Sequence, residues 1–415
     1  MNTYAFILGR KHLLSVAELC NVLPADVKII DIVPEALIAG FPHPIADFKA
    51  RLGRLGGTVK IAEIFAQVPK KKDAVATESS RYLQENFADK AGKLIYGVSL
   101  YSFKDKNEPI LRKTLTTIKK ELTKSGLKSR FINHNFKNLE NAAIKGEKLL
   151  EEGAEIAAIE GNNELFIGKT RAIQDFESYS HRDYDRPERA PRLGMLPPKL
   201  AQIMINLGGF IRFNETTHPN LTVYDPFTGI GTVLTEGLIM GYNVVGSDIN
   251  KEVLEKAKKN ITWTQSQFPE TKKNVRIFKK DATQLSKKDL PEKIDLVVTE
   301  SYLGPPVSIF PTPEHLQLTF RNIEKIIIGF FNTAKSWLKP GTPVIICFPI
   351  YRRQDRMFFM ENIDNKIKKL GFESQPLIPK EIISQFNLKT FQRQSLIYDR
   401  PDQIIGREIW KFVKK

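Results

Sequence analysis

The stretch Tyr224-Asp225-Pro226-Phe227-Thr228-Gly229-Ile230-Gly231-Thr232 decides the fold. It follows the apolar run 221–224 and opens the apolar helical pattern of 233–240. A strand that ends in a glycine turn and feeds a helix is the starting unit of a parallel α/β sheet. Gly229 and Gly231 let backbone approach a ligand with no Cβ in the way. Open α/β sheets bind ligands at the carboxyl ends of their strands, which is where this turn falls.

Downstream, strands and helices alternate. Strands are expected at 243–247, 275–278, 294–299 and 343–348, with a final pair at 395–398 and 408–412. Helices are expected at 233–240, 251–265 and 314–337. This order predicts a doubly wound, mostly parallel sheet whose last strand is antiparallel.

Upstream, the chain reads as two smaller α+β units. The first, 1–55, opens with the strand Tyr4-Ala5-Phe6-Ile7-Leu8 and then Gly9-Arg10. Ser15 reads as a helix N-cap, with Glu18 completing a capping box. Further strands are expected at 27–33 and 37–39. The second unit, 56–170, carries a basic helix at 112–122, where Leu111, Leu115, Ile118 and Leu122 share one apolar face. Strands are expected at 130–132, 156–160 and 164–169. Residues 171–193 read as a linker, because 178–192 mix arginines and prolines with no apolar period. A helix is expected to start near Pro197-Pro198, with Leu200, Ile203, Met204 and Leu207 on one face. The last domain spans 194–415.

The 415 residues carry a net charge of +16. Residues 51–150 have a balance of +11, residues 151–190 of −5, and residues 191–415 again of +11. A folded chain this basic points to a polyanion, and nucleic acid leads. The two cysteines, Cys20 and Cys347, make neither a disulfide framework nor a zinc pair, and no metal site is expected. The opening residues lack the pattern of a signal peptide, and the apolar run near 326–331 is too short to span a bilayer. A soluble, cytoplasmic protein with no membrane partner is expected.

The chemistry centres on three aspartates at strand ends. Asp225 precedes the glycines, Asp248 ends the second strand, and Asp281 follows the third. An acid at the second strand end accepts hydrogen bonds from both ribose hydroxyls of a nucleoside. An acid after the third suits an adenine amino group, or alternatively caps a helix. A dinucleotide site is the rival, but Gly229-Ile230-Gly231-Thr232-Val233-Leu234 lacks the third glycine of GxGxxG. An acid at 225 also suits a cationic sulfonium better than a pyrophosphate. The expected cofactor is S-adenosyl-L-methionine. Its expected contacts are Asp225, Phe227, Thr228, Gly229, Gly231 and Thr232 in the turn, with Asp248 and Ile249, and Asp281 and Ala282, at the next two strand ends.

The fourth strand ends in Val298-Thr299-Glu300-Ser301-Tyr302-Leu303-Gly304-Pro305-Pro306. An exocyclic base amine is a poor nucleophile, because its lone pair is delocalised into the ring. A carboxylate that accepts its hydrogens helps localise that pair and aligns it for attack. Glu300 suits this role, and Tyr302 suits stacking on an extruded base. The alternative is a rigid proline-rich loop with a solvated glutamate.

These motifs together resemble the THUMP-domain tRNA guanosine N2-methyltransferases of the guanosine-10 type. The resemblance lies in Leu14-Ser15-Val16-Ala17-Glu18-Leu19, in Arg182-Asp183-Tyr184-Asp185-Arg186-Pro187 and in Gly194-Met195-Leu196-Pro197-Pro198-Lys199-Leu200. It continues in Asp225 to Thr232, in Tyr398 to Gln403 and in Gly406-Arg407-Glu408-Ile409. It implies a ferredoxin-like segment, a THUMP-like RNA-binding domain over 56–170, and a Rossmann-like class I methyltransferase domain. It implies a monomer acting on tRNA at the N2 of a guanosine, and some relatives work with a small activating protein. The family's motif after Thr299 is Asp-Pro-Pro-Tyr-Gly, whereas this chain has Glu300, Ser301, Tyr302 and Leu303 before Gly304. Two alternatives remain: amino-methylation of another nucleic-acid base, and an RNA-binding protein with a degenerate methyltransferase site.

Overall fold

The computed structural model describes every residue except 72, 106, 190–194, 211–212, 214–219, 272, 355, 392 and 401–402. The last four residues of the expected linker, the Gly194 boundary and Pro401-Asp402 of the closing motif therefore lie outside the described residues. The chain divides into two compact units. One comprises Met1–His12, Pro24–Gly53 and Gly57–Phe176; the other comprises Leu13–Leu23, Arg54–Gly56 and Glu177–Lys415.

The first unit is built on one eight-stranded sheet. Its strands are β1 (Asn2–Leu8), β2 (Lys28–Val33), β3 (Ala36–Phe41), β4 (Thr58–Pro69), β5 (Leu94–Tyr101), β6 (Ser129–Phe131), β7 (Ala154–Glu160) and β8 (Glu164–Ile173), in the order β2-β3-β1-β4-β8-β7-β5-β6. β5 runs parallel to β6 and β7, and the other pairs are antiparallel. The helix Asn107–Lys124 buries Leu111, Leu115, Ile118 and Leu122, the face that its spacing predicts. They pack with Tyr96, Val98, Ile156 and Ile167 of the sheet. Across the sheet, Lys60 of β4 and Glu155 of β7 form a buried ion pair at 2.5 Å. Ser99 donates to the same Glu155 oxygen at 2.6 Å, and Lys60 also reaches the Leu139 carbonyl at 3.0 Å.

The second unit holds a nine-stranded sheet. Its strands are β9 (Thr222–Asp225), β10 (Asn243–Asp248), β11 (Val275–Lys279), β12 (Leu296–Glu300), β13 (Pro343–Arg353), β14 (Arg356–Phe358), β15 (Phe372–Gln375), β16 (Leu396–Tyr398) and β17 (Ile405–Lys414). The main order is β11-β10-β9-β12-β13-β17-β15, with β14 pairing on β13 and β16 on β17. β9 to β13 are mutually parallel, and β17 enters antiparallel between β13 and β15. The central strands are buried on both faces, as their continuous apolar runs require. The order reverses between β9 and β12, which places a ligand crevice at their carboxyl ends.

Two local expectations are corrected. The helix His12–Val22 begins three residues before Ser15, so Ser15 and Glu18 are buried inside it and form no capping box. Glu18 instead accepts from the Gly56 N–H at 2.8 Å and from Asn206 Nδ2 at 2.7 Å. A second interaction from this helix runs from Asn21 Nδ2 to the Leu377 carbonyl at 2.9 Å, and Lys411 Nζ reaches Asn21 Oδ1 at 3.0 Å. The other correction concerns the arginine-rich stretch, which is α-helical over Phe176–Ser180 and widens into a π-helical turn over His181–Asp185. It has no apolar period because its buried anchors are arginines. Arg182 pairs with buried Glu236 at 2.9 Å, and Arg186 donates to Thr232 Oγ1 at 2.9 Å.

Candidate functional site

The turn after β9 is shaped by its glycines. Gly229 has φ +51° and Gly231 φ +87°, and Gly231 caps the helix Thr232–Ile239. At Gly231 a Cβ would stand 3.2 Å from that of Ala257. The turn is tied down from two sides. The Thr228 N–H donates to the Ser247 carbonyl at 3.0 Å, and its hydroxyl donates to the Asp225 carbonyl at 2.8 Å. Gly246 makes this closure sterically feasible, since a Cβ there would lie 2.4 Å from Thr228 Oγ1.

A cleft of about 1310 Å³ opens at the carboxyl ends of the strands. Of the residues expected to hold a cofactor, Phe227, Gly229, Asp248, Ile249, Asp281 and Ala282 line it. Glu300 and Tyr302 line the same cleft. Asp225, Thr228, Gly231 and Thr232 do not line it and instead build the turn from behind. Asp225 is buried, and its Oδ1 accepts from the Phe227 N–H at 3.1 Å and the Thr299 hydroxyl at 2.5 Å. Burial pushes its carboxyl up to about 7, against the pull of those two donors.

Asp248 accepts from the Gly229 N–H on one oxygen at 2.9 Å and from the Asn250 N–H on the other at 3.0 Å. It thereby locks the glycine turn to the end of β10. Ile249 beside it is 64% exposed, an open apolar surface on the cleft wall. Asp281 caps the short helix Ala282–Gln284, with Oδ1 accepting from the Thr283 N–H at 2.8 Å and hydroxyl at 2.7 Å. The capping role and the cleft position coexist, because both bonds fall on Oδ1.

The loop after β12 forms another part of the cleft lining. Ser301 is fastened to the Cys347 carbonyl through its N–H at 3.2 Å and its hydroxyl at 2.7 Å. Gly304 has φ +99°, and the Tyr351 hydroxyl donates to the Leu303 carbonyl at 3.4 Å. Tyr302 is 48% exposed. Glu300 is ion-paired with Arg407 Nε; their side chains are 18% and 5% exposed. Arg407 also donates to the Met195 carbonyl at 3.4 Å. Burial pushes the Glu300 carboxyl up, and the Arg407 charge pulls the other way.

Sequence reasoning missed Arg407 and Arg186 as members of this architecture. The signal for Arg407 lies in Glu300 itself, because a carboxylate at the end of a buried strand demands a cation. Asp183, Tyr184 and Arg189, from the stretch read as a linker, also line the cleft, with Arg189 over the Tyr184 ring at 5.1 Å. Among the described residues no group of three or more His, Cys, Asp or Glu is placed to hold a metal ion. No described helix is long and apolar enough to cross a membrane.

No protein-family model matches the chain. It is 30% identical over 176 residues to the tRNA (guanine(10)-N2)-dimethyltransferase of Methanothermobacter thermautotrophicus, which is 42% of this chain and 45% of that protein. It is 31% identical over 137 residues to the tRNA (guanine(10)-N2)-dimethyltransferase of Pyrococcus abyssi, covering 31% and 38% of the two chains. The chain thus spans less than half the length of the curated relatives it matches. In structure it is similar over 100% of both chains to TrmN from Thermus thermophilus, with a TM-score of 0.53 at 13% identity. The chain therefore has an α/β class I methyltransferase fold, and over its matched stretch it is similar in sequence to curated tRNA (guanine(10)-N2)-dimethyltransferases.

Proposed function

We propose that the chain transfers a methyl group from S-adenosylmethionine to the exocyclic N2 of a guanosine in tRNA, as a cytoplasmic monomer. The observation that carries this reading is a single cleft. It is lined by Gly229, Asp248, Ile249 and Asp281 together with Glu300 and Tyr302. The residues fit the cofactor. Asp248 suits the ribose hydroxyls, Ile249 and Ala282 offer apolar faces to adenine, and Asp281 Oδ2 suits its amino group. When bound, the cofactor supplies an electrophilic methyl group on a sulfonium.

The chain's own residues then orient the acceptor. Glu300 accepts a hydrogen from the exocyclic amine and keeps its lone pair directed, and Tyr302 stacks on the base. The choice of guanine N2 rests on the names of the curated relatives. The net charge of +16 supports a nucleic-acid substrate.

Two measurements test this. Isothermal titration with S-adenosylmethionine should show binding by the wild type. Nucleoside analysis of digested tRNA after reaction should show N2-methylguanosine. Methyl groups on another base would replace the substrate assignment. Binding of tRNA with no methyl transfer would favour the degenerate-site reading.

A further inference from the structure

Glu300 stands where the resembled family has aspartate, and the added methylene brings an extra rotatable bond. The fold supplies a partner that removes this freedom. Glu300 ends β12, whose register partner on β13 is Cys347, and β13 pairs in turn with β17. Arg407 lies opposite Pro349 in that second pairing. The two charged residues therefore start two strands and two residues apart, roughly 11–12 Å at the backbone. An arginine and a glutamate are long enough to meet over β13, and they do so through Arg407 Nε and Glu300 Oε1. The Arg407 bond to the Met195 carbonyl fixes the guanidinium from its other end.

We infer that Arg407 is a positioning residue for the acceptor carboxylate: it clamps one oxygen of Glu300 and leaves the second, ionised, to the acceptor amine. This rests on the reading of 300–304 as the acceptor loop. Among the described residues, Arg407, Asp225 and Cys347 interact electrostatically with Glu300 from the packed strands. Burial disfavours the ionised form of Glu300 and Arg407 of β17 favours it, while the Glu300 charge in turn helps to raise the Asp225 carboxyl of β9. Cys347 of β13 is a buried thiol held neutral. Arg407 is thus the counterweight to burial, and without it the carboxyl stays protonated to higher pH.

Arg407→Gln should lower kcat about 10- to 100-fold at neutral pH, leave KM for S-adenosylmethionine near the wild-type value, and move the acid limb of the kcat profile up by about one pH unit or more. Arg407→Lys keeps a cation and should hold the acid limb near the wild-type position. Glu300→Asp, one methylene shorter, should lose the clamp and fall in kcat alongside Arg407→Gln. Circular dichroism and thermal melts confirm that each variant is folded, and Glu300→Asp carries the test if the glutamine variant is not, an unchanged kcat in folded Glu300→Asp overturning the inference. A second readout needs no activity: the ¹³C carboxyl resonance of Glu300, assigned with Glu300→Gln, should titrate at higher pH in Arg407→Gln than in the wild type. Equal midpoints, or a folded Arg407→Gln with an unchanged kcat profile, would overturn the inference. A wild type that modifies no tRNA would sink the functional reading alone, because the carboxyl titration still decides the role of Arg407.

Discussion

Thr299 donates its hydroxyl hydrogen to Asp225 Oδ1 at 2.5 Å, joining the ends of the adjacent parallel strands β12 and β9. The same oxygen accepts the Phe227 N–H at 3.1 Å. An asparagine carbonyl at 225 would accept both bonds, so Asp225→Asn isolates the charge. Burial raises this carboxyl to about 7 from an ordinary value of 3.8. A raised folded pKa contributes stability that is fully present below about pH 4 and is lost as pH rises towards 7. Asp225→Asn should therefore match the wild type near pH 4 and exceed it by on the order of 2–4 kcal/mol at pH 8, without ligand. Melting temperatures across this range measure the difference, and a gap that does not change with pH would contradict it.

Asp248 holds the glycine turn through Gly229 and its own helix start through Asn250. Asp248→Ala removes these bonds and the acceptor for the ribose. A hydrogen bond to a charged group contributes about 1.5–3 kcal/mol, or about 10- to 150-fold in affinity. Titration calorimetry with S-adenosylmethionine should show at least this loss. Unchanged affinity would remove Asp248 from the site.

Gly231 sits at φ +87°, with Ala257 packed against it. Gly231→Ala combines left-handed strain of about 1–2 kcal/mol with a tight methyl contact. It should lower the melting temperature and weaken cofactor binding together. Gly53 has open space around it, so Gly53→Ala is a neutral control for added volume.

Lys60 and Glu155 bury their pair inside the first sheet. Glu155→Gln leaves the lysine charge without its counterion, at a cost of about 3–5 kcal/mol. Urea denaturation should show the loss. A change below about 1 kcal/mol would mean that the interior is wetter than the side-chain burial implies.

Strand legibility followed burial. β9, β10, β12 and β13 announce themselves as apolar runs because both of their faces are covered. β15, Phe372–Gln375, is an edge strand with one buried side chain, and its polar residues carry no such pattern. β4 is central, yet two register shifts along β8 break the alternation that would reveal it. In the site, the aspartates at strand ends are legible because their positions follow from the strands. Arg186 and Arg407 are not, because an arginine's partner is chosen by the fold: Glu300 and Arg407 lie 107 residues apart.

The helix His12–Val22 carries a kinetic consequence. Its anchors are Asn206, Leu377 and Lys411, separated from it by 188, 356 and 390 residues. Synthesis proceeds from the N-terminus, so this segment leaves the ribosome long before its binding partners exist. It buries Leu14, Val16, Ala17 and Leu19, an apolar face that the nascent chain must shield in the meantime. Contacts of such separation are closed late and slowly. This helix is thus made well before its partners and among the last of these elements to find its place.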